Sequence, residues 1–128
     1  GKKNFSVKLN NQLKFAEKKT TKNNKLQINL ALNYGSKTEI LEAIKKLSKK
    51  NERINEKNLK KYFFTKEDPD PDLLIRTGDT KRLSNFLLWQ LAYSEIYFVK
   101  KYWPDFTKKD YLKIINKFKN IKRNFGRI

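Results

Sequence analysis

Leu26, Ile28, Leu30 and Leu32 alternate with polar or small residues ahead of Asn33-Tyr34-Gly35, the period of a strand that runs into a tight loop. Upstream, residues 6–20 carry Val7, Leu9, Leu13 and Ala16 on an imperfect helical stripe, and Lys22-Asn23-Asn24 reads as a turn. Downstream, Ser36 and Glu39 have the spacing of a capping box, which predicts a helix from Lys37. Ile40, Leu41, Ile44 and Leu47 would be its core face, and the charged run at residues 49–53 its end. Asn55 is placed to cap a short helix over residues 56–62.

The middle of the chain is denser. Asp68-Pro69-Asp70-Pro71-Asp72 is stiffened by two prolines, which disfavour helix at the residues before them. Leu73-Leu74-Ile75 is a brief, fully apolar strand of the parallel-sheet kind. A polar loop follows, and then residues 86–93, apolar almost all round, predict a helix buried on more than one side. A subunit interface and a larger core explain that second buried face equally well. Ile96-Tyr97-Phe98-Val99 is a third strand, and Trp103-Pro104-Asp105-Phe106 an aromatic corner expected to pack in the core. Thr107 with Asp110 can cap a last helix, whose core face is Tyr111, Ile114, Ile115, Phe118, Ile121 and Phe125, with Gly126 placed to stop it. Strands alternating with helices predict an α/β fold, a partial parallel sheet flanked by helices. No repeat or boundary interrupts the chain, so residues 1–128 are expected to form one domain.

Composition removes several chemistries. There is no cysteine and no histidine, which excludes disulfides, thiolate or imidazole metal ligands and imidazole bases. Proton transfer or metal binding must use carboxylates. The chain opens on Gly1 and holds no methionine, so it is expected to be a piece of a longer polypeptide. It has no signal peptide and no apolar run long enough to span a bilayer, and a cytoplasmic location is expected.

The formal charge of +18 invites a nucleic-acid reading, since clustered cations release counterions from phosphates. Most of that charge is lysine scattered among asparagines at residues 18–25, 45–58 and 113–122. Arginine grips phosphate better than lysine, and the only arginines are Arg53, Arg76, Arg82, Arg123 and Arg127. Two of these five share one loop. The bulk charge is background, and nucleic acid is not the expected partner.

That loop carries the chemistry. Arg76 ends the predicted strand, while Arg82 and Ser84, with Asn85 beside it, precede the predicted helix. Two guanidiniums, a hydroxyl and a helix start suit a diphosphate. In the plainer alternative, Ser84 is a simple cap and the arginines pair with Asp70, Asp72 or Asp79. Glu95, at the mouth of the next apolar strand, needs a partner. It suits a hard cation such as Mg²⁺, or a salt bridge to one of the many lysines. No Walker loop, dinucleotide fingerprint or nucleophile elbow is present.

These motifs resemble, in order, those of the cis-prenyltransferases, the family of undecaprenyl pyrophosphate synthase. Leu30-Ala31-Leu32-Asn33-Tyr34-Gly35 is similar to the family's Asn-Tyr-Gly-Gly-Arg segment. The likeness is densest over residues 69–98 and continues through Trp103-Pro104-Asp105-Phe106 to Phe125-Gly126. It implies that Arg76, Arg82 and Ser84 hold the diphosphate of isopentenyl diphosphate and that Glu95 helps position Mg²⁺. The implied reaction adds isopentenyl units to an allylic diphosphate such as farnesyl diphosphate, each new double bond cis. It implies too a homodimer formed through residues 86–98 and a transient association with membranes.

The family's Asp-Gly-Asn-Gly-Arg-Trp loop, which binds the allylic diphosphate and supplies the essential aspartate, has no counterpart here, nor has its Phe-Ser-x-Glu-Asn-Trp segment. The chain therefore resembles the carboxyl-terminal half of such an enzyme. It is expected to be inactive without the other half, and a non-catalytic partner subunit is the alternative. Ser36-Lys37 replaces the usual Gly-Arg, and Lys81 stands where some members have histidine. The arginine of a terminal Arg-x-Gly motif falls at Asn124, with Arg123 and Arg127 as possible substitutes.

Overall fold

A computed structural model describes residues 5–124. They divide into two compact units, with the boundary between Tyr34 and Gly35. In the first, α1 spans Val7–Thr20 and Ser6 caps it, its Oγ accepting from the Leu9 N–H at 3.2 Å. None of its residues is buried. The strand predicted over residues 26–32 does not form. Leu26, Ile28 and Leu30 are about 70 % exposed. A strand needs a neighbour for its N–H and C=O groups, and the sheet of the described residues takes in no residue of this segment.

The second unit opens with α2, Ser36–Lys49. Ala43 and Leu47 on this helix and Leu59 and Phe63 beyond it form the buried cluster, with Ile40, Ile44 and Tyr62 packed against it. Leu41, expected in that face, is exposed. Ser36, Glu39, Ala43 and Leu47 are the buried seam at three- and four-residue spacing, and Leu41 lies off it. The predicted capping box is also absent. Gly35 is the N-cap and offers no side-chain bond, while Ser36 and Glu39 turn inward. Asn55 does cap α3, Glu56–Lys60, accepting from the Asn58 N–H at 2.9 Å. This helix stops two residues before the expected Tyr62, as the chain tightens into turns closed by the Tyr62 and Phe63 N–H groups.

Strand β1, Leu73–Arg76, pairs in parallel with β2, Glu95–Phe98, in the register Leu73 to Glu95 and Arg76 to Phe98. The ladder is extended at both ends. Glu95 N–H donates to the Asp72 carbonyl at 3.0 Å, and Val99 N–H to the Arg76 carbonyl at 2.8 Å. The α/β class holds, with a sheet of two strands where three were expected.

The largest correction is at residues 86–93, predicted to be a buried helix and observed as successive turns. Ser84, Asn85 and Leu87 have φ of 50°, 62° and 43°, a left-handed conformation that a right-handed helix cannot contain. Only Gln90 and Leu91 of this stretch are buried.

Trp103–Asp105 forms a single 3₁₀ turn. Trp103 stacks on Phe106, with ring centroids 6.2 Å apart, and is 74 % exposed, so the aromatic corner is not core. Helix α4, Lys108–Lys119, buries Ile114 and half-buries Ile115 and Phe118, whereas Tyr111 is exposed. It ends at Lys119, where Asn120 N–H closes on the Lys117 carbonyl at 3.1 Å. Phe125 and Gly126 lie outside the described residues. Among those described, no helix is long and apolar enough to cross a membrane.

The predicted cap of α4 is present as a full capping box. Asp110 N–H donates to Thr107 Oγ1, and Thr107 N–H donates to the Asp110 carboxylate at 2.9 Å. The Thr107 hydroxyl, the Lys101 ammonium and the Thr107 N–H hold the Asp110 carboxyl well below the usual carboxylate range. A depressed folded-state pKa contributes stability above the unfolded value, lost as pH falls toward the folded one. Asp110→Asn is therefore expected to lower Tm at pH 7, with the difference shrinking below about pH 4. A Tm gap independent of pH would refute the charge-based cap.

Candidate functional site

Arg76 closes β1, and beyond it the chain must turn sharply to reach residue 84. Gly78, at φ 93°, and Asp79, at φ 51°, supply that turn. Two bonds tie it to the segment after β2, from Gly78 N–H to the Lys101 carbonyl at 2.8 Å and from Asp79 N–H to the Val99 carbonyl at 3.1 Å. The loop is thus fixed to the carboxyl end of both strands, where open α/β sheets bind ligands.

Within it, Arg76 Nη1 donates to Ser84 Oγ at 3.1 Å and to the Arg82 carbonyl. Arg76 is half-buried, while Arg82 and Ser84 are exposed. The alternative ion pairs do not form. Asp70 pairs with Lys60 at 2.8 Å and Asp72 with Arg123, and no carboxylate among the described residues pairs with Arg76 or Arg82. The Arg76 guanidinium therefore meets the Ser84 hydroxyl with no acidic side chain to neutralise it, and Arg82 follows on the same loop with its side chain exposed. Such an arrangement favours an anion able to accept several charge-assisted hydrogen bonds.

Ser84, expected as a helix cap, caps nothing, because no helix follows it. The helix start at this loop belongs to α2. Ser36 N–H donates to the Asn85 carbonyl at 2.8 Å, Lys37 N–H to Asn85 Oδ1 at 2.8 Å, and Leu88 N–H to Ser36 Oγ at 3.0 Å. Sequence reading placed Asn85 beside Ser84 and gave Ser36 to a capping box, but did not connect the two. The one available signal was the polar pair Ser84-Asn85 before an apolar run, because asparagine tolerates left-handed backbone.

Glu95 is not brought to this cluster. It is half-buried at the amino end of β2, three register positions from Arg76, which is about 10 Å along a strand. Side chains alternate, so Glu95 lies with Leu73, Ile75 and Tyr97 on the face opposite Arg76. No group of three or more Asp, Glu, His or Cys gathers among the described residues. Mg²⁺ demands near-octahedral oxygen ligation, and this donor set does not fit a complete Mg²⁺ site.

Arg123, considered as a stand-in for the terminal arginine, is engaged within the chain. It pairs with Asp72, donates from Nη2 to the Tyr93 carbonyl at 3.0 Å and lies over the Phe118 ring at 5.6 Å. Arg127 lies outside the described residues.

Residues 1–126 match the prenyltransferase family model of undecaprenyl diphosphate synthase. The chain belongs to this family. Among curated relatives of the chain, the ditrans,polycis-undecaprenyl-diphosphate synthase ((2E,6E)-farnesyl-diphosphate specific) of Buchnera aphidicola is 44 % identical over 134 aligned positions. That alignment covers 99 % of the chain and 53 % of the relative. The tritrans,polycis-undecaprenyl-diphosphate synthase (geranylgeranyl-diphosphate specific) of Pyrococcus furiosus is 47 % identical over 88 % of the chain and 45 % of its own length. A probable undecaprenyl diphosphate synthase from Campylobacter jejuni superposes with a TM-score of 0.88 at 38 % identity, covering 99 % of this chain and 60 % of that one. Lavandulyl diphosphate synthase from Lavandula x intermedia, in complex with dimethylallyl diphosphate, gives 0.90 at 34 % identity, covering 98 % and 57 %. The chain spans about half the length of the curated relatives it matches.

Proposed function

We propose that this prenyltransferase chain holds isopentenyl diphosphate during condensation onto farnesyl diphosphate, repeated to give an undecaprenyl-length lipid carrier diphosphate for cell-wall synthesis. The observation that carries the reading is the Arg76 guanidinium, aimed by Ser84 Oγ and the Arg82 carbonyl and left without a carboxylate partner. The alkene of isopentenyl diphosphate attacks C1 of the allylic diphosphate, inorganic diphosphate departs, and one proton is lost. Arg76, Arg82 and Ser84 hold the unreacting diphosphate, so that the alkene presents one face to the primer. Positioning of this kind turns an encounter into a near-intramolecular step.

Mg²⁺ belongs to the proposed reaction, with Glu95 as this chain's contribution to a donor set that other residues complete. A homodimer through residues 86–98 is proposed as well. Trp89, Tyr93, Ile96 and Phe98 in that stretch are 37 %, 63 %, 38 % and 39 % exposed, apolar surface that a second copy would cover.

The full-length polypeptide carrying this sequence, given farnesyl diphosphate, labelled isopentenyl diphosphate and Mg²⁺, is expected to convert the label into a long-chain polyprenyl diphosphate. No incorporation with either farnesyl or geranylgeranyl diphosphate would sink the catalytic reading and favour a silent partner subunit.

A further inference from the structure

We infer that Asn85 and Ser36 are positioning residues for the diphosphate grip, joining its loop to the first turn of α2. The inference rests on the reading of Arg76, Arg82 and Ser84 as that grip.

The first N–H groups of a helix have no partner within it. In α2 two of them are taken by a single residue of the loop, the Ser36 N–H by the Asn85 carbonyl and the Lys37 N–H by Asn85 Oδ1, both at 2.8 Å. The return bond runs from Leu88 N–H to Ser36 Oγ at 3.0 Å, and Ser36 is fully buried. Three bonds therefore bracket the turn immediately after Ser84. Gly35 makes room for this contact. A Cβ there would lie 2.8 Å from Asn85 Nδ2, inside van der Waals contact.

The bonds hold a backbone that would not persist unaided. Ser84, Asn85 and Leu87 all have positive φ, and such residues endure only where surrounding structure over-determines them. Ser84 is the residue whose Oγ meets Arg76 Nη1, so the direction of that hydroxyl depends on a conformation enforced one residue later. The Ser36 hydroxyl is a feature of this chain, at a position where the resembling motif has glycine. The two residues act on the substrate only through the loop.

The test is steady-state kinetics of the full-length polypeptide with each substrate varied in turn. Asn85→Ala is expected to raise KM for isopentenyl diphosphate roughly tenfold, the scale of a lost hydrogen bond. KM for the allylic diphosphate should stay within about twofold. Asn85→Gly, which permits φ of 62° but lacks the acceptor, should behave like Asn85→Ala, whereas Asn85→Asp keeps an oxygen for the Lys37 N–H and should recover most of the loss. Ser36→Gly should raise the same KM about threefold with unchanged allylic KM. Equal effects on both substrates, or a lower Tm with both KM values unchanged, would overturn the positioning role. Arg76→Ala is run beside these variants. If it leaves isopentenyl diphosphate KM unchanged, the grip reading itself has failed; if it raises that KM while Asn85→Ala and Ser36→Gly do not, only the positioning role falls. Should Asn85→Ala fail to fold, Ser36→Gly and Asn85→Asp still decide.

Discussion

Arg76→Ala in the full-length polypeptide is expected to lower kcat/KM for isopentenyl diphosphate by roughly thirtyfold or more, equivalent to about 2 kcal/mol. One guanidinium does two things. Through Nη1 it ties Ser84 Oγ and the Arg82 carbonyl to the end of β1, and its remaining N–H groups meet no described residue. Truncation removes the charge that faces the substrate and releases the loop that carries the other two groups. Arg76→Lys should recover only part of the loss, because an ammonium cannot reproduce the planar fork. Arg82→Ala is expected to cost less. Its side chain is exposed and its carbonyl, the atom that touches Arg76, survives the substitution. Unchanged kinetics in Arg76→Ala would refute the site.

The second large effect concerns stability. Glu39, 2 % exposed, accepts from Phe64 N–H at 2.7 Å and from Gln90 Nε2 at 3.1 Å. It thereby joins α2 to the start of residues 64–66 and to the turns that follow the loop. Glu39→Ala removes the acceptor of the Phe64 N–H bond and one of the two acceptors of the Gln90 amide, which also donates to Thr65 Oγ1 at 3.1 Å, and Gln90 Oε1 has no partner among the described residues. Hydrogen bonds to a charged group are worth about 1.5–3 kcal/mol each, and the two together should cost about 3 kcal/mol. Glu39→Gln should lose less, since one oxygen can still serve Phe64. Urea unfolding reads the difference as a shift in midpoint at constant slope. A loss below about 0.5 kcal/mol would show that the buried carboxylate is dispensable.

Elements governed by local rules were legible in the sequence. Ser6, Asn55 and the Thr107–Asp110 pair cap their helices because the cap bond spans three residues and needs nothing distant. β1 was legible because three consecutive apolar residues after a Pro-Asp run have few other fates. Two of the failures share a cause, a distant partner that changes the local outcome. Ser36 and Glu39 have capping-box spacing, yet Leu88 and Phe64 take their side chains inward. Residues 86–93 have helical hydrophobicity, yet the loop's bonds to α2 force left-handed backbone just where that helix would begin. In the candidate site, the arginines and serine could be picked by residue type. That Asn85 ties the loop to α2 could not, since its partner is 48 positions away.

The exposed apolar row of Leu26, Ile28, Leu30 and Leu32 has a colloidal consequence. Four large apolar residues alternating over residues 26–32, exposed and without proline, form the kind of segment that adheres to its own copies. Lys22, Lys25 and Lys37 bracket it, and the chain as a whole carries +18. Cations flanking an unavoidable apolar strand act as gatekeepers, and a strong net charge of one sign keeps molecules apart. The lysine excess, uninformative about ligand, thus acquires a role as the repulsion that keeps copies of this apolar row apart.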